Sequence, residues 1–334
     1  MHPDTVREIQ GCLPTGKTPF HYFRDRYAAL LLGWYVGKQG MPIHAIKRSA
    51  FSGLLAKTAI RTCIASCPDG ILSADHMAAC WPHPRDIETY RLTLGEWGTE
   101  DTSRDPEDDP GWHQTSRPGM NLVLQLNFSS KHDRPYEALI RPQALHPFEC
   151  IIHPIAPPSY RTLAWARIDL ELERGEALIE EIQNDWVRRV QSKRRVLQSI
   201  LGGDGAPMPM PQSDPRIRRA LRGADTDPVR FERYTERVLK PHMRLWDEAM
   251  LAATLWFLRE EIGTRRIYYH TFAGGNALKG LDDEPPPRSL YTTLPKRFCF
   301  RPTSMAPSFL DKVATKRLRP MRAQREPVFF VLDL

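Results

Sequence analysis

The strongest constraint on the fold comes from residues 162–186, which read TLAWARIDLELERGEALIEEIQNDW. Two sets of residues alternate here: Ala164, Ala166, Ile168, Leu170 and Leu172 fall on one face of an extended strand, and Trp165, Arg167, Asp169, Glu171 and Glu173 on the other. A period of two residues indicates a β-strand. Arg174 and Gly175 predict a tight turn, and ALIEEIQND (177–185) predicts the returning strand. The segment therefore predicts an antiparallel hairpin.

The second strand of this hairpin is unusually polar, since it contains Glu180, Glu181, Gln183, Asn184 and Asp185. Regular alternation places Glu180 and Asn184 on one face and the other three on the opposite face. If both faces of the sheet are covered, buried carboxylates need partners or a catalytic task. If the hairpin lies at an exposed edge, they form a solvated acidic face. We favour Glu181 as the site residue, because Gln183 and Asp185 share its predicted face.

The rest of the chain divides into a helical part and a part rich in strands. Apolar residues recur three and four apart between residues 18 and 80, and alternating strands begin near residue 90. The long apolar stretch at 244–263 predicts a buried helix capped by Gly263. We predict an α+β fold, with a helical N-terminal region (1–88) packed with a mixed β-sheet domain (89–334).

Charge and composition limit the partners. The formal net charge is +7 with a pI of about 9.1, and the helix WVRRVQSKRRVLQSI contains five cations and no acid. These features favour an acidic partner, either nucleic acid or a phosphorylated ligand. The first ten residues have no apolar core of a signal peptide, and AALLLGWYV (28–36) is too short to span a bilayer. We expect a cytoplasmic protein without a membrane partner, with a mobile glycine- and proline-rich insert at about 202–215.

Residues 11–18, GCLPTGKT, fit the phosphate-loop pattern G-x-x-x-x-G-K-[ST]. A working phosphate loop follows a buried strand and opens a helix. Here Val6 and Ile9 precede it at helical spacing, and Pro19 disfavours a helical conformation at Thr18. We therefore interpret Thr18 as the N-cap of a helix that begins at Pro19, and not as a nucleotide ligand.

The six cysteines include no C-x-x-C pair, so we expect reduced thiols. Cys63, Cys67 and Cys80 lie near His76 and His83, and thiolates with imidazoles can bind zinc. Their spacing matches no standard zinc finger. Buried structural cysteines are the favoured interpretation, and a zinc site at Cys63, Cys67, Cys80 and His83 stays open.

Two resemblances suggest a function. The string ALIEEIQNDW, followed by an alanine-rich helix and a strand, is similar to the E-E-I-Q-S-D-W segment of phage and plasmid polyvalent proteins. Over about residues 160–310, the predicted order is strand, helix, strand, short helix, then a tyrosine before a phenylalanine. This order resembles the C-terminal half of the GNAT superfamily of N-acyltransferases.

The GNAT resemblance implies an acyltransferase or a non-catalytic relative, with acetyl-CoA or another acyl-CoA as cofactor. It places Glu180 or Glu181 as general base and Tyr291 as the acid that protonates the departing thiolate. Gln183, Asn184 and Asp185 would line the substrate site. The family's pyrophosphate loop, R/Q-x-x-G-x-G/A, would fall in VRRVQSKRRV, which has no such glycines.

His270 ends the predicted strand RIYYH and precedes a glycine pair, which suits acid–base work or a hydrogen-bonded structural role. The hairpin also resembles the D…E-x-K core of PD-D/E-x-K nucleases, with Gln183 in place of lysine. That resemblance implies Mg²⁺ held by Asp169 and Glu181, with phosphates on the basic helix. A nucleic-acid or protein binding module is the third interpretation.

Overall fold

The computed structural model describes residues 1–13, 18–67, 69–98, 114–143, 147–202, 214–280, 286–310, 316–324 and 326–334. Its centre is an eight-stranded sheet with strands in the order β1-β4-β5-β6-β7-β8-β10-β9. Its strands are β1 (Thr18–Tyr22), β4 (Glu88–Gly98), β5 (Met120–Phe128), β6 (Thr162–Glu171), β7 (Glu176–Gln183), β8 (Arg266–His270), β9 (Arg301–Thr303) and β10 (Phe329–Asp333). A separate pair is formed by β2 (Met41–Pro42) and β3 (Ile71–Leu72). The predicted α+β fold is confirmed.

Helices cover this sheet. They are α1 (Pro3–Cys12), α2 (Arg26–Val36), α3 (Ile43–Ile46), α4 (Thr58–Ala65), α5 (Ala74–Ala78), α6 (Ser130–Ile140), α7 (Asp185–Leu201), α8 (Pro215–Ala220), α9 (Pro228–Tyr234), α10 (Lys240–Trp256), α11 (Phe272–Lys279) and α12 (Thr293–Arg297), with a short helix at Arg319–Ala323. Among the described strands only β7 and β8 pair in parallel. A parallel pair needs a crossover, which helices α7 to α10 supply.

The predicted hairpin is present as β6 and β7. The alternating residues Ala164, Ala166, Ile168 and Leu170 all join the main hydrophobic core. Leu172, expected on the same face, lies in the turn and is half exposed. Gly175 adopts φ 61°, a left-handed conformation that glycine takes without steric cost.

The long helix α10 contributes a continuous run of buried residues to the main core. Every residue from Glu248 to Leu255 is buried, as expected for a helix surrounded by the sheet and other helices. A π-helical turn, Phe257–Glu261, extends it, and Gly263 follows with φ 78°. The predicted left-handed glycine after this helix is therefore confirmed. Phe20 packs in the same core, so this core crosses the predicted division at residue 88.

The prediction that a helix begins at Pro19 is wrong. Residues 18–22 form strand β1, which pairs with β4, and α2 begins only at Arg26. The alternation within T-P-F-H-Y explains this, because Phe20 and Tyr22 are buried while Pro19 and His21 are exposed. Proline is tolerated because β1 lies at the edge of the sheet.

The elements on either side of GCLPTGKT occur in the reverse order of those that flank a phosphate loop. Helix α1 precedes the motif and strand β1 follows it. Residues 14–17 lie outside the described residues, as do residues 203–213 of the predicted insert. Within the described ranges, no helix is long and apolar enough to cross a membrane.

The expectation of reduced thiols is wrong for two cysteines. Cys63 of α4 and Cys80, which follows α5, form a disulfide with their Cα atoms 5.9 Å apart. Cys67 is buried as a free thiol. The zinc set that included His83 is excluded as well, because two of its thiols are oxidised and no cluster of three ligand residues occurs in the described part of the chain.

We predict that reducing this disulfide lowers the free energy of unfolding. The bond closes a loop with a sequence separation of 17 residues, and cross-linking a loop of this size contributes roughly 3 kcal/mol. Thermal unfolding with and without dithiothreitol measures the effect. The Cys63→Ser/Cys80→Ser double variant is the control, since its melting temperature should be low and insensitive to reductant. Equal melting temperatures for the oxidised wild type and this variant would contradict the prediction.

Candidate functional site

The centre of the sheet contains a closed cluster of ionisable side chains around Glu180. The Glu180 carboxylate accepts hydrogen bonds from the backbone N–H (3.0 Å) and the hydroxyl (2.7 Å) of Ser116. It also lies 3.0 Å from Nε2 of His270 and 3.3 Å from Nζ of Lys279. All four residues are buried. Two predicted site residues, Glu180 and His270, are thus brought together.

A β-bulge places Glu180 in this cluster. Ile168 of β6 lies opposite Ile179 of β7, but Arg167 lies opposite Glu181, so Glu180 is the extra residue. A bulge of this kind leaves one residue outside the ladder and redirects its side chain. In the regular register of the hairpin, Arg167 would have faced Glu180.

The bulge overturns the prediction that Glu180 and Glu181 point to opposite faces. Glu181 forms an ion pair with Arg167, and Glu180 forms one with Lys279. The charges of Glu180, Glu181 and Arg167 all act on the buried ammonium of Lys279. Both carboxylates therefore face the same side of the sheet.

Lys279 fills a gap between two strands. Parallel pairing of β7 with β8 ends at Ile179 and Tyr269, and beyond this point the Lys279 ammonium donates to the backbone carbonyl of Glu180 (2.5 Å). Helix α11 positions the lysine close to the sheet. A Cβ on Gly274 would lie 2.2 Å from the carbonyl oxygen of Val328, so this close approach requires glycine.

The protonation states in the cluster follow from burial and mutual charge. Burial acts to raise the pKa of Glu180, but Lys279, His270 and Ser116 outweigh it and hold the pKa well below its usual range. Burial, together with the charge of Lys279, lowers the pKa of His270. At neutral pH the cluster therefore contains a carboxylate, a neutral imidazole and a hydroxyl. A carboxylate with so low a pKa is a poor general base.

Ser116, His270 and Glu180 do not form a catalytic triad. The Ser116 hydroxyl lies 3.0 Å from Nε2 of His270, and the Glu180 carboxylate approaches the same nitrogen. In a triad the histidine uses one nitrogen for the nucleophile and the other for the carboxylate. Nδ1 of His270 is buried without a hydrogen-bond partner in the described chain. We assign this cluster a structural role.

Tyr291 lies against Tyr269 of β8, with ring centroids 5.5 Å apart. Burial raises the pKa of its phenol well above the usual value, and the charges of Glu181 and Tyr269 raise it further. The phenol is therefore protonated at neutral pH. Tyr291 and Glu181 are close enough for their charges to interact.

The other predicted substrate-binding residues lie where β7 meets α7. Gln183 is the last residue of the strand, and Asn184 caps the helix by accepting a hydrogen bond from a backbone N–H of its first turn (2.7 Å). Asp185 is the first helical residue and pairs with His153 and Arg188. Asp185 therefore does not extend the strand face of Glu181 and Gln183.

The nuclease interpretation predicted a metal between Asp169 and Glu181. Arg117 holds Asp169 through two hydrogen bonds of 2.6 and 2.8 Å, and Arg167 holds Glu181. Guanidinium groups occupy the oxygens that a divalent ion would need. The described residues contain no cluster of three metal-ligating side chains.

Four cavities of the described structure lie away from Glu181 and Tyr291. An open cleft of about 1460 Å³ runs between the α4–α5 region and the start of α10, and a cavity of about 230 Å³ adjoins it. Two further cavities of about 800 and 390 Å³ lie near α1 and near Cys299. None of these four is lined by Glu181 or Tyr291.

The sequence analysis missed Ser116 and Lys279. Ser116 lies in the connection before β5, and Lys279 reads as an ordinary basic residue at the end of a short helix. Arg167 was noted only as part of a polar face, although a cross-strand register count would have placed it opposite a glutamate. The bulge that sets Arg167 opposite Glu181 rather than Glu180 has no signal in the sequence.

Comparison of the sequence with protein-family models and with curated proteins gave no match, and comparison of the structure with solved structures gave none. The geometry of the described residues is therefore the basis for a functional proposal.

We predict that Lys279→Met destabilises the protein by about 3–5 kcal/mol at pH 7, because it leaves the Glu180 charge buried without its main cation. In the wild type the lowered pKa of Glu180 stabilises the fold above about pH 4.5, and this contribution falls as pH decreases. In the variant, burial without the lysine makes the charged form of Glu180 unfavourable. Protonation of Glu180 at low pH removes this buried charge. The loss of free energy of unfolding caused by Lys279→Met should therefore be smaller at pH 4 than at pH 7.

Urea unfolding at both pH values measures this difference. Lys38→Met is the control, since Lys38 is exposed and has no ion pair among the described residues. A deficit of Lys279→Met that is absent at pH 7, or that grows as pH falls, would show that the ion pair does not stabilise the fold.

Proposed function

We propose that this chain is a non-catalytic relative of the GNAT superfamily that binds nucleic acid through helices α7 and α8. The order of elements supports the first part. β7, α7, β8 and α11 occur in the order that the resemblance implies, with α8 to α10 inserted between α7 and β8, and Tyr291 and Phe298 come after them. The neighbouring parallel strands β7 and β8 also fit a strand–helix–strand unit.

The state of the two carboxylates argues against catalysis. Glu180 is fully buried and bound on all sides by Ser116, His270 and Lys279. Glu181 is mostly buried and paired with Arg167. A general base must reach the proton it removes and have a pKa near the working pH. Glu180 has neither access to a substrate nor a pKa near neutrality. The carboxylate of Glu181 is already paired with the guanidinium of Arg167.

The start of helix α7 argues against a bound coenzyme A. The N-terminus of a helix favours a phosphate because its N–H groups are free and its dipole is positive. Here the side-chain oxygen of Asn184 accepts a hydrogen bond from one of these N–H groups, that of Val187, and the carboxylate of Asp185 lies in the first turn. The chain itself therefore supplies a hydrogen-bond acceptor and a negative charge where the pyrophosphate would bind.

Helices α7 and α8 form a strongly basic surface. They pack together, and Nζ of Lys193 donates to the carbonyl oxygens of Ala220 (2.9 Å) and Arg222 (3.2 Å). The segments 186–202 and 215–224 contain no aspartate or glutamate. Burial lowers the pKa of Lys193, and the neighbouring charges of Arg189 and Arg222 lower it further. Cations are therefore close enough here to repel one another.

Most of these cations form no ion pair with the described part of the chain. Three of them pair with carboxylates: Arg188 with Asp185, Arg194 with Glu232 and Glu236, and Arg216 with Asp214. The following cations of this surface form no ion pair with any described residue: Arg189, Lys193, Arg195, Arg218, Arg219 and Arg222. This set of cations on two packed helices, without an ion pair among the described residues, is the observation that carries the proposal. Nucleic acid fits it because phosphates are regularly spaced and release counterions on binding.

A cytoplasmic location is part of this proposal, since a nucleic-acid partner is present there. One observation stands against that location. Disulfides persist mainly in oxidising compartments, and Cys63 and Cys80 form one.

We predict that the protein binds a fluorescein-labelled 20-base-pair DNA duplex and that log Kd rises steeply with log salt. The Arg218→Ala/Arg219→Ala variant should reduce the magnitude of this salt slope by about 2, because each lost phosphate contact contributes about 0.9. Fluorescence anisotropy between 50 and 200 mM KCl measures both quantities.

The control is Lys47→Ala/Arg48→Ala, which removes two exposed cations outside α7 and α8. It changes the net charge equally but should keep the wild-type slope. If the salt slope falls equally in both variants, binding depends on net charge alone. The α7–α8 surface would then be the wrong site.

An active acyltransferase is the second candidate. The charge of Glu181 acts on the Tyr291 phenol, which supports this candidate because the resemblance assigns the base and acid roles to these two residues. For activity, Arg167 would have to release Glu181 when substrate binds.

We predict that acetyl-CoA at millimolar concentration does not raise the melting temperature, since a ligand that binds only the folded state would raise it. We also expect no release of free coenzyme A above the buffer rate with polyamine or lysine-peptide acceptors. Glu181→Gln should behave like the wild type in both assays. Coenzyme A release that falls by about 10²-fold or more in Glu181→Gln would establish the second candidate.

A further inference from the structure

A small cavity between α2 and α5 is lined by a cation that forms no ion pair with any described residue. The cavity measures about 230 Å³, and its walls include Phe23, Arg26, Leu30, Trp34, Met77 and Trp81. We call it the Arg26 cavity. Its lining is apolar except for the Arg26 guanidinium.

The surroundings of Arg26 hold the guanidinium in place but do not neutralise it. Its central carbon lies 4.9 Å from the ring centroid of Phe20 and 5.0 Å from that of Trp81. Cation–π contacts of this kind attract the group to the two ring faces. Arg26 forms no hydrogen bond or ion pair through its side chain within the described chain, and its Nη1 atom is buried without a partner.

An unpartnered guanidinium in an apolar site is unfavourable for the protein alone. Buried charges are normally paired, because loss of hydration is costly. Burial lowers the pKa of Arg26 to about 10, and the group is still charged at neutral pH. A charge kept at this cost in a cavity is typical of a binding site for an anion.

The shape and lining restrict the ligand. A carboxylate matches the planar fork of a guanidinium through two parallel hydrogen bonds. Trp34, Met77 and Leu30 offer an apolar surface to the rest of the molecule. The cavity is smaller than the roughly 300–1,000 Å³ of drug-sized sites, and it shares Phe23 and Trp81 with the larger cleft.

We propose that the Arg26 cavity binds a small carboxylic acid that carries an aromatic or aliphatic group, with the carboxylate on Arg26 and the apolar group between α2 and α5. This site lies on other elements than the α7–α8 surface. The proposal therefore does not rest on nucleic-acid binding or on the GNAT relationship.

The test uses 3-phenylpropionate as the probe and 3-phenylpropionamide as its neutral counterpart. Isothermal titration calorimetry of the full chain should show saturable binding of the acid. The acid should bind at least about tenfold more tightly than the amide, because a hydrogen bond between two charged groups is stronger than one between a charged and a neutral group. Equal affinities for the two probes, or no binding of the acid, would overturn the proposal.

Two variants locate the site. Arg26→Gln should remove the preference for the acid over the amide, whereas Arg24→Gln should keep it, since Arg24 is an exposed neighbour that lines only the larger cleft. If only Arg24→Gln loses the preference for the acid over the amide, the carboxylate binds in that larger cleft and the proposal is wrong.

A third variant keeps the test valid if Arg26→Gln does not fold. Ala78 is exposed and lines the cavity, so Ala78→Trp should block the cavity without disturbing the core. We expect it to reduce binding of both probes by at least about tenfold, which corresponds to 1.4 kcal/mol. Wild-type binding in a folded Ala78→Trp variant would show that the acid binds elsewhere.

Discussion

The buried ion pair between Glu180 and Lys279 is the interaction on which the centre of the molecule depends. Strands β7 and β8 stop pairing at Ile179, so the sheet would contain a polar gap beyond that residue. Lys279 closes this gap by binding both the side chain and the backbone carbonyl of Glu180. The same carboxylate holds Ser116 and His270. One carboxylate thus joins β7, β8, α11 and the segment before β5, and the loss of either charge would leave the other buried alone.

This arrangement also explains why we favour binding over catalysis. Catalytic groups need access to a substrate and a pKa near the working pH. The charged residues at the centre of the sheet pair with one another. Cations without an ion pair among the described residues lie elsewhere, on the exposed α7–α8 surface and at Arg26. A charge that the protein leaves unpaired is available to a ligand, and a charge that it pairs internally maintains the fold.

The sequence predicted those features that depend on local periodicity. The alternation in residues 162–186 correctly indicated the hairpin, and Gly263 marked the end of the long buried helix. Strand β1 was mistaken for a helix because five residues of T-P-F-H-Y are too few to separate the two periods. The shared face of Glu180 and Glu181 depends on the bulge, which only the paired strands define. Lys279 and Arg26 were missed because their importance comes from contacts across the fold rather than from their neighbours in the chain.

The two outer strands of the sheet have a consequence for association between copies of this chain. Strand β1 contains Pro19 and strand β9 contains Pro302, so each outer strand lacks one N–H group that an added strand would need. β9 also has only three residues, and it begins with the exposed cation Arg301. Short, charged and proline-containing edges disfavour the growth of a sheet from one molecule into the next. Copies of this protein that meet edge to edge are therefore poorly suited to polymerise by continuous strand pairing.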